Sequence, residues 1–295
     1  MILLSIITPH YNMPDSLPKL RDSIPEEPWI EHIVVDDKSD CDAKALAEVK
    51  EYVTKRGSIW VDNMSEKKGA GVCRDIGIRQ AKGRWVLVAD ADDFFVDGAF
   101  AIISQYLNDE ADIIYFTPTG IKVPSGEASE RHVPYKKLVE EHVSYTDQKS
   151  EMRLRFLFVP DTSKMIRLEM IQNNDVQSSD SIVANDVMFS VRCGYYAKAV
   201  RAVGETVYCY TEGEGTLTTV RNKERFRKRL EVYVEQNRFM REHLPAESYS
   251  LTCISARGML RQCLKDYGIR ETVRTVRYLR KEHAPINLFA GRIKG

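Results

Sequence analysis

Trp85-Val-Leu-Val-Ala-Asp-Ala-Asp-Asp-Phe-Phe95 carries the densest information in the chain. Five apolar residues, patterned as a strand buried on both faces, run directly into three carboxylates, Asp90, Asp92 and Asp93. If the strand continues, its alternation sends Asp90 and Asp92 to one side and Asp93 to the other. Carboxylates this close repel one another unless a cation or hydrogen-bond donors offset the charge. Oxygen-only ligands of this kind suit Mg2+ or Mn2+ held against phosphates. Taken alone, the same letters also describe a solvated Asp-rich turn or a helix cap.

Working outward, residues 3–8, 32–35 and 59–61 are short, β-branched apolar runs that read as further buried strands. Helical segments over 15–24, 42–55 and 69–81 separate them. Strands alternating with helices predict βαβ units and an α/β, doubly wound sheet, in which ligands bind beyond the carboxyl ends of the strands. Three of those ends are polar: Thr8-Pro9-His10-Tyr11-Asn12, Asp36-Asp37-Lys38-Ser39 and Asp90-Ala91-Asp92-Asp93. A helix over 97–107 and a strand over 112–116 follow. Residues 117–148, with Pro118, Pro124 and Pro134, read as an irregular insertion, either a seat of acceptor choice or a plain solvent loop. Order returns over 155–164, a helix over 167–173, residues 185–193 and a strand over 203–210. From Asn222 onward the chain reads as helical, with apolar positions Phe226, Leu230, Tyr233 and Val234, then Leu260, Cys263, Leu264 and Tyr267. The organisation expected is a catalytic domain over 1–220 and a basic, mainly helical extension over 221–295.

The 295 residues have a formal net charge of zero, unevenly spread. Residues 221–295 hold 18 Lys and Arg against 8 Asp and Glu, leaving 25 against 35 in residues 1–220. Arg225, Arg227, Lys228 and Arg229 open one helix; Arg270, Arg274, Arg277, Arg280 and Lys281 punctuate another, with Val273, Val276 and Leu279 between them. Such a helix either lies on an anionic membrane or packs its apolar face on the protein body. No nucleic-acid motif or aromatic interleaving accompanies the charge, so nucleic acid is not an expected partner. The six cysteines are scattered without a CxxC pair, which disfavours a zinc site or a disulfide scaffold and favours reduced thiols. Neither a leader peptide nor a run of about 20 apolar residues is evident. The expected location is cytoplasmic, with peripheral contact on the inner face of the membrane.

The ordered motifs resemble family 2 glycosyltransferases of the GT-A fold, enzymes of bacterial polysaccharide and glycoconjugate synthesis. The matching pieces are Ser5-Ile-Ile-Thr-Pro-His-Tyr-Asn12, Ile33-Val-Val-Asp-Asp-Lys-Ser39, Gly69-Ala-Gly-Val-Cys-Arg-Asp-Ile-Gly77, Ala81-Lys-Gly83, Val88-Ala-Asp-Ala-Asp-Asp93 and Ala184-Asn-Asp-Val-Met-Phe-Ser190. The resemblance implies a mixed, mostly parallel GT-A sheet with flanking helices. It implies that Pro9 and Tyr11 line the nucleotide pocket, that Asp37 accepts a hydrogen bond from the base, and that Arg74 approaches the base or the phosphates. Asp90, Ala91 and Asp92 correspond to the family DxD. Asp92 is the leading ligand of Mn2+ or Mg2+, Asp90 contacts the ribose or a metal-bound water, and Asp93 shares the metal site. Asp186 is the implied general base, with Asp175 and Asp180 as competitors, and Asn185 stands where the family usually has Glu. Asn185-Asp186 also reads as a helix N-cap. Asp161-Thr-Ser-Lys164 loosely matches a family Trp-Gly-Lys segment. No His lies between His142 and His243, so a C-terminal metal-site His is missing, and Arg221 or Lys223 is the substitute contact for the pyrophosphate.

The implied activity is inverting, metal-dependent transfer of a sugar from a nucleoside-diphosphate donor, UDP-linked, to a glycan or lipid-linked saccharide. A sugar nucleotidyltransferase is a rival, disfavoured because Pro9-His-Tyr-Asn-Met-Pro14 contains neither glycine nor Lys or Arg where such enzymes carry a Gly-rich basic loop. A non-catalytic nucleotide-sugar scaffold is another.

Overall fold

The computed structural model describes residues 1–179, 181, 183–213 and 222–286. The first half alternates as the hydrophobic pattern requires: β1 (Leu4–His10), α1 (Leu17–Asp22), β2 (Ile30–Asp36), α2 (Ala43–Lys55), β3 (Ile59–Asp62), α3 (Ala70–Gln80) and β4 (Trp85–Val88). A two-residue β5 (Phe94–Phe95) and α4 (Ala99–Ser104) follow. The second half holds β6 (Ile113–Lys122), α5 (Val133–Tyr145), α6 (Gln148–Leu157), β7 (Lys164–Arg167), α7 (Leu168–Asn173), α8 (Asn185–Tyr196) and β8 (Val200–Glu212).

All eight strands join one sheet in the order β3-β2-β1-β4-β7-β6-β8-β5. β1 pairs in parallel with β2 and β4, and β2 with β3. β7 enters antiparallel between β4 and β6, β6 and β8 run parallel, and β5 caps the edge antiparallel to β8. This is the expected mixed α/β sheet. β4 is buried throughout because it is covered on both faces: Trp85 and Leu87 enter one apolar core, with Leu4, Ile6 and Val34, and Val86 enters the other, with Ile7, Ile33 and Val35. Gly77 shows why α3 lies so close to the sheet. A Cβ there would fall 2.4 Å from Ile7 Cγ2.

Residues 117–148 depart from the expected irregular insertion. β6 runs on to Lys122 because β8 pairs with it across a register shift at Thr117, and α5 forms with Leu138 and Val139 buried. Residues 123–132 between them remain irregular, while many of the other polar letters belong to the outer faces of β6 and α5, which a one-dimensional pattern does not separate from a loop. The carboxylate run also departs from strand geometry. β4 ends at Val88 and the chain turns, with Asp93 N–H donating to Asp90 O at 3.0 Å.

By internal contacts the chain divides into two compact units, Met1–Ser181 with Asn185–Thr216, and Ile182–Ala184 with Leu217–Gly295. The expected boundary between 220 and 221 lies outside the described residues. The smaller unit contains α9 (Lys223–His243), α10 (Ala246–Thr252) and α11 (Arg257–Lys281), the last kinked at Gly268, which sits at φ 76°. Leu230, Tyr233, Leu260 and Leu279 form its own core, with Val276 packed against it. Of the three apolar positions that could meet lipid or pack on protein, Val276 and Leu279 face protein, while Val273 is exposed. Lys223 pairs with Glu271 at 2.7 Å. No helix among the described residues is long and apolar enough to cross a membrane.

Candidate active site

The carboxyl ends of β1, β2 and β4 lie side by side, because parallel pairing brings His10 opposite Asp36 and Ile7 opposite Val88. The two aspartates ending β2 do different work. Asp36 accepts from His10 Nδ1 at 2.8 Å and from Ser39 Oγ at 2.6 Å, locking the two strand ends together. Asp37 turns the other way: Asn63 Nδ2 donates to Oδ1 at 2.8 Å and Gly69 N–H to Oδ2 at 2.7 Å. Asp37 thereby fixes the start of α3, and each oxygen keeps one lone pair. Pro9 is registered opposite Val35 one residue before the strand end. Tyr11 is 44% exposed, its hydroxyl held by Asp40 at 3.0 Å and the Lys68 amine 5.1 Å from its ring centre.

The turn after β4 keeps the three carboxylates within one another's electrostatic reach, with Asp93 buried and Asp90 and Asp92 partly exposed. Asp90 N–H donates to the buried Tyr208 hydroxyl at 2.9 Å. Thr211, on β8, donates its N–H to Asp93 Oδ1 at 2.7 Å and its hydroxyl to Asp92 O at 2.6 Å. Burial, then the charges of Asp90 and Asp92, push the Asp93 carboxyl well above its ordinary range. Burial, then Asp90, push Asp92 up to about 6. Ala91 is 2% exposed and packs into the apolar core, so only its backbone is available to a ligand.

Arg74 ties this turn to α8. It is only 5% exposed, and its three nitrogens each meet a different partner. Nη2 donates to Asp90 Oδ1 at 2.8 Å, Nη1 donates to Asn185 Oδ1, and Nε lies 2.8 Å from Asp161 Oδ2 without hydrogen-bond alignment. Burial disfavours its charge, but Asp161, Asp90 and Asp186 outweigh that and hold the guanidinium above its ordinary value. The guanidinium expected to approach base or phosphates is thus committed to protein partners. Asn185, where the family usually has Glu, supplies one of them.

Asp186 lies in the first turn of α8, where the helix dipole favours a carboxylate. Burial raises its pKa and Arg74 opposes the rise. Among its competitors, Asp175 is exposed and bonded to Gln177 Nε2 at 2.8 Å, while Asp180 lies outside the described residues, as does Arg221, the expected pyrophosphate contact.

Two participants were not visible as such in the sequence. Asp161 is 2% exposed; burial lifts it to about 7, with Arg74 lowering and Asp186 raising it. Lys164 is 1% exposed, donates to Phe158 O at 3.1 Å and Ser190 Oγ at 2.9 Å, and is lowered by burial to about 8. Ser190 sits one helical turn beyond Asp186, so Lys164 fastens β7 to the face of α8 that carries Asp186. The loose Asp161-Thr-Ser-Lys164 match was the available signal.

Among the described residues, no three His, Cys, Asp or Glu side chains form a ready metal cage. The donor set nevertheless suits a hard cation shared with a ligand. Asp92 accepts no hydrogen bond from another described residue, and burial, then the charge of Asp90, hold its carboxyl above the ordinary range. Mg2+ and Mn2+ commonly take one or two protein carboxylates and complete their shell with phosphate and water.

Residues 5–174 match the profile of Glycosyl transferase family 2, and Asp186 falls beyond that match. The poly(ribitol-phosphate) beta-N-acetylglucosaminyltransferase TarS of Staphylococcus aureus is 22% identical over 223 residues, covering 73% of this chain. The chain spans about a third of that relative's length, 36%. The crystal structure of residues 1–349 of TarS with UDP-GlcNAc superposes with a TM-score of 0.69 at 17% identity, covering 95% of this chain and 80% of that one. The mannosyltransferase PcManGT of Pyrobaculum calidifontis, solved with GDP-Man and Mn2+, gives a TM-score of 0.56 at 13% identity, covering 94% of this chain and 79% of its own. These likenesses establish the GT-A type of fold, and the profile, matching more than half of the sequence, establishes descent: the chain belongs to glycosyl transferase family 2.

Proposed function

We propose that this family 2 glycosyltransferase moves one sugar from a nucleoside-diphosphate donor, UDP-linked, to a hydroxyl of a glycan or lipid-linked saccharide, with inversion at the anomeric carbon. The observation that carries this reading is Arg74, which joins Asp90 of the acid turn to Asn185, the neighbour of Asp186. A group for the donor phosphates and a candidate base are thereby held in one rigid frame. TarS, by its name, transfers beta-N-acetylglucosamine, and its residues 1–349 were solved with UDP-GlcNAc, which supports the choice of a UDP-linked donor.

Tyr11 offers its exposed face to the base, and Asp37 offers the remaining lone pairs at the end of β2. Asp92, with Asp90 and Asp93, would hold Mn2+ or Mg2+, which supplies charge neutralisation of the departing diphosphate when bound. Asp186 takes the proton from the acceptor hydroxyl as that oxygen bonds to the anomeric carbon. The bond from the anomeric carbon to the phosphate oxygen breaks, and its electron pair leaves with the nucleoside diphosphate. A single displacement of this kind inverts configuration and needs one base, typically contributing about 10²–10⁴-fold. Burial raises the pKa of Asp186, which makes it a stronger proton acceptor than an ordinary carboxylate.

A cytoplasmic location and peripheral contact with an anionic membrane belong to the same reading, as does a separate helical extension over 221–295. They are supported by six free thiols and by exposed Ile269 and Val273 flanked by Arg270, Arg274 and Arg277 on α11. Sedimentation with phosphatidylglycerol vesicles tests the membrane contact. The activity is tested by Asp186→Asn: turnover falls by about 10²-fold or more while donor binding persists. Retained turnover would remove Asp186 from the role of base.

A further inference from the structure

β8 presents three successive side chains or backbone groups to three different parts of the site. Thr211 holds Asp92 and Asp93, as described. Tyr210, the residue before it, carries the guanidinium of Arg131 5.5 Å from its ring centre. Glu212, the residue after it, accepts a 2.5 Å hydrogen bond from Ser129 Oγ. Ser129 in turn accepts the Arg131 N–H at 3.2 Å and donates its own N–H to Gly120 O on β6. The turn that bears Arg131, between β6 and α5, is therefore set in register with the acid turn through one strand.

Arg131 stands out among the cations near this site. Arg74 is buried and spent on protein partners, and Lys164 is buried beneath α8. Arg131 is exposed, and its guanidinium makes no hydrogen bond or ion pair among the described residues. Although the residue as a whole is exposed, its guanidinium end is partly desolvated, which disfavours its charge; Asp93, Asp90 and Asp92 outweigh that and raise its pKa, yet it closes on none of them. A fork of five donors is thus held over an aromatic face, within the electrostatic field of the carboxylates of the acid turn.

We propose that Arg131 binds the diphosphate of the nucleotide-sugar donor, resting on the glycosyltransferase reading of the same site. A diphosphate suits this pairing because it carries anionic oxygens both for a guanidinium and for a cation on the acid turn. One set faces the cation that Asp90 and Asp92 would hold, the other faces the planar guanidinium, which suits bidentate recognition of phosphate. Charge left on the departing phosphate is then met from two directions. Arg131 supplies from the β6–α5 turn the cationic contact that was expected from Arg221 or Lys223.

The test compares wild type, Arg131→Met and Arg131→Lys by calorimetric titration with UDP, GDP and uridine in the presence of Mn2+. Arg131→Met is expected to weaken the nucleoside diphosphate that wild type binds by 10-fold or more while leaving the affinity for uridine unchanged. Arg131→Lys should recover part of the loss. Equal diphosphate affinity in wild type and Arg131→Met overturns the proposal and leaves the transferase reading intact. An equal loss for uridine also overturns it, since it would place Arg131 against the base or in the folded framework. A wild-type chain that binds neither UDP nor GDP overturns both.

Discussion

Replacing Arg74 with Met removes the cation from a buried site, since Arg74 is only 5% exposed. Asp161 is 2% exposed and loses the guanidinium 2.8 Å away, while Asp90 and Asn185 each lose a hydrogen bond. Breaking a buried pair by removing one partner costs about 3–5 kcal/mol, because the other charge stays buried. The sign of the pH dependence follows from Asp161. Its folded pKa, about 7, already exceeds the ordinary carboxylate value, so the folded state binds more protons than the unfolded one across that window. Stability therefore falls as pH rises through the window and levels off above the folded pKa. Without Arg74 that pKa moves higher still, and the fall extends to higher pH than in wild type. At pH 6 the carboxyl is largely protonated in both proteins, leaving mainly the lost hydrogen bonds, about 1–3 kcal/mol. Urea titrations at pH 6 and 8.5 should show a deficit near the upper range at 8.5 and at least about 1 kcal/mol smaller at pH 6. A deficit below about 1 kcal/mol at pH 8.5, or one independent of pH, would refute the charge network.

Other perturbations probe the parts around it. Lys164 is charged in the unfolded chain up to about its ordinary value but only to about 8 when folded, so wild-type stability should rise with pH above 8. Lys164→Met should lose that rise, worth on the order of 3 kcal/mol by pH 10.5; parallel pH profiles of the two proteins would count against a buried, titrating amine. Tyr208→Phe leaves the Asp90 N–H without its 2.9 Å acceptor. The change should cost about 1–3 kcal/mol and speed hydrogen exchange at the Asp90 amide, whereas unchanged protection there would contradict the bond. Gly77→Ala drives a Cβ into Ile7 and should lower stability by about 1–3 kcal/mol in thermal denaturation; an unchanged melting temperature would mean α3 has room to move.

What the sequence made legible was local. Trp85–Val88 and the strands beside it are short apolar runs whose burial on both faces leaves little choice of structure, and the acids at their ends are contiguous in the chain. What it hid was register. Arg74 and Asp161 are 87 positions apart, and nothing in either neighbourhood announces that they meet at 2.8 Å. Thr211 reaches Asp93 only because β8 pairs with β6 and β5, a topology that no periodicity encodes. α5 and the turn carrying Arg131 were masked by polarity, since their outer faces are solvated and Leu138 and Val139 are brief apolar landmarks. The alternation of Asp90, Asp92 and Asp93 was conditional on the strand continuing; the strand stops at Val88 and a turn carries the three carboxylates instead.

The central claim is that the acid turn after β4 holds a donor diphosphate through a divalent cation. Calorimetric titration of UDP and GDP into the wild-type chain, with Mn2+ and then with EDTA, tests it most directly. The account predicts saturable binding of one nucleotide with Mn2+, lost in EDTA and lost in Asp92→Ala. Binding that survives both EDTA and Asp92→Ala, or no binding of either nucleotide to the folded chain, would contradict it.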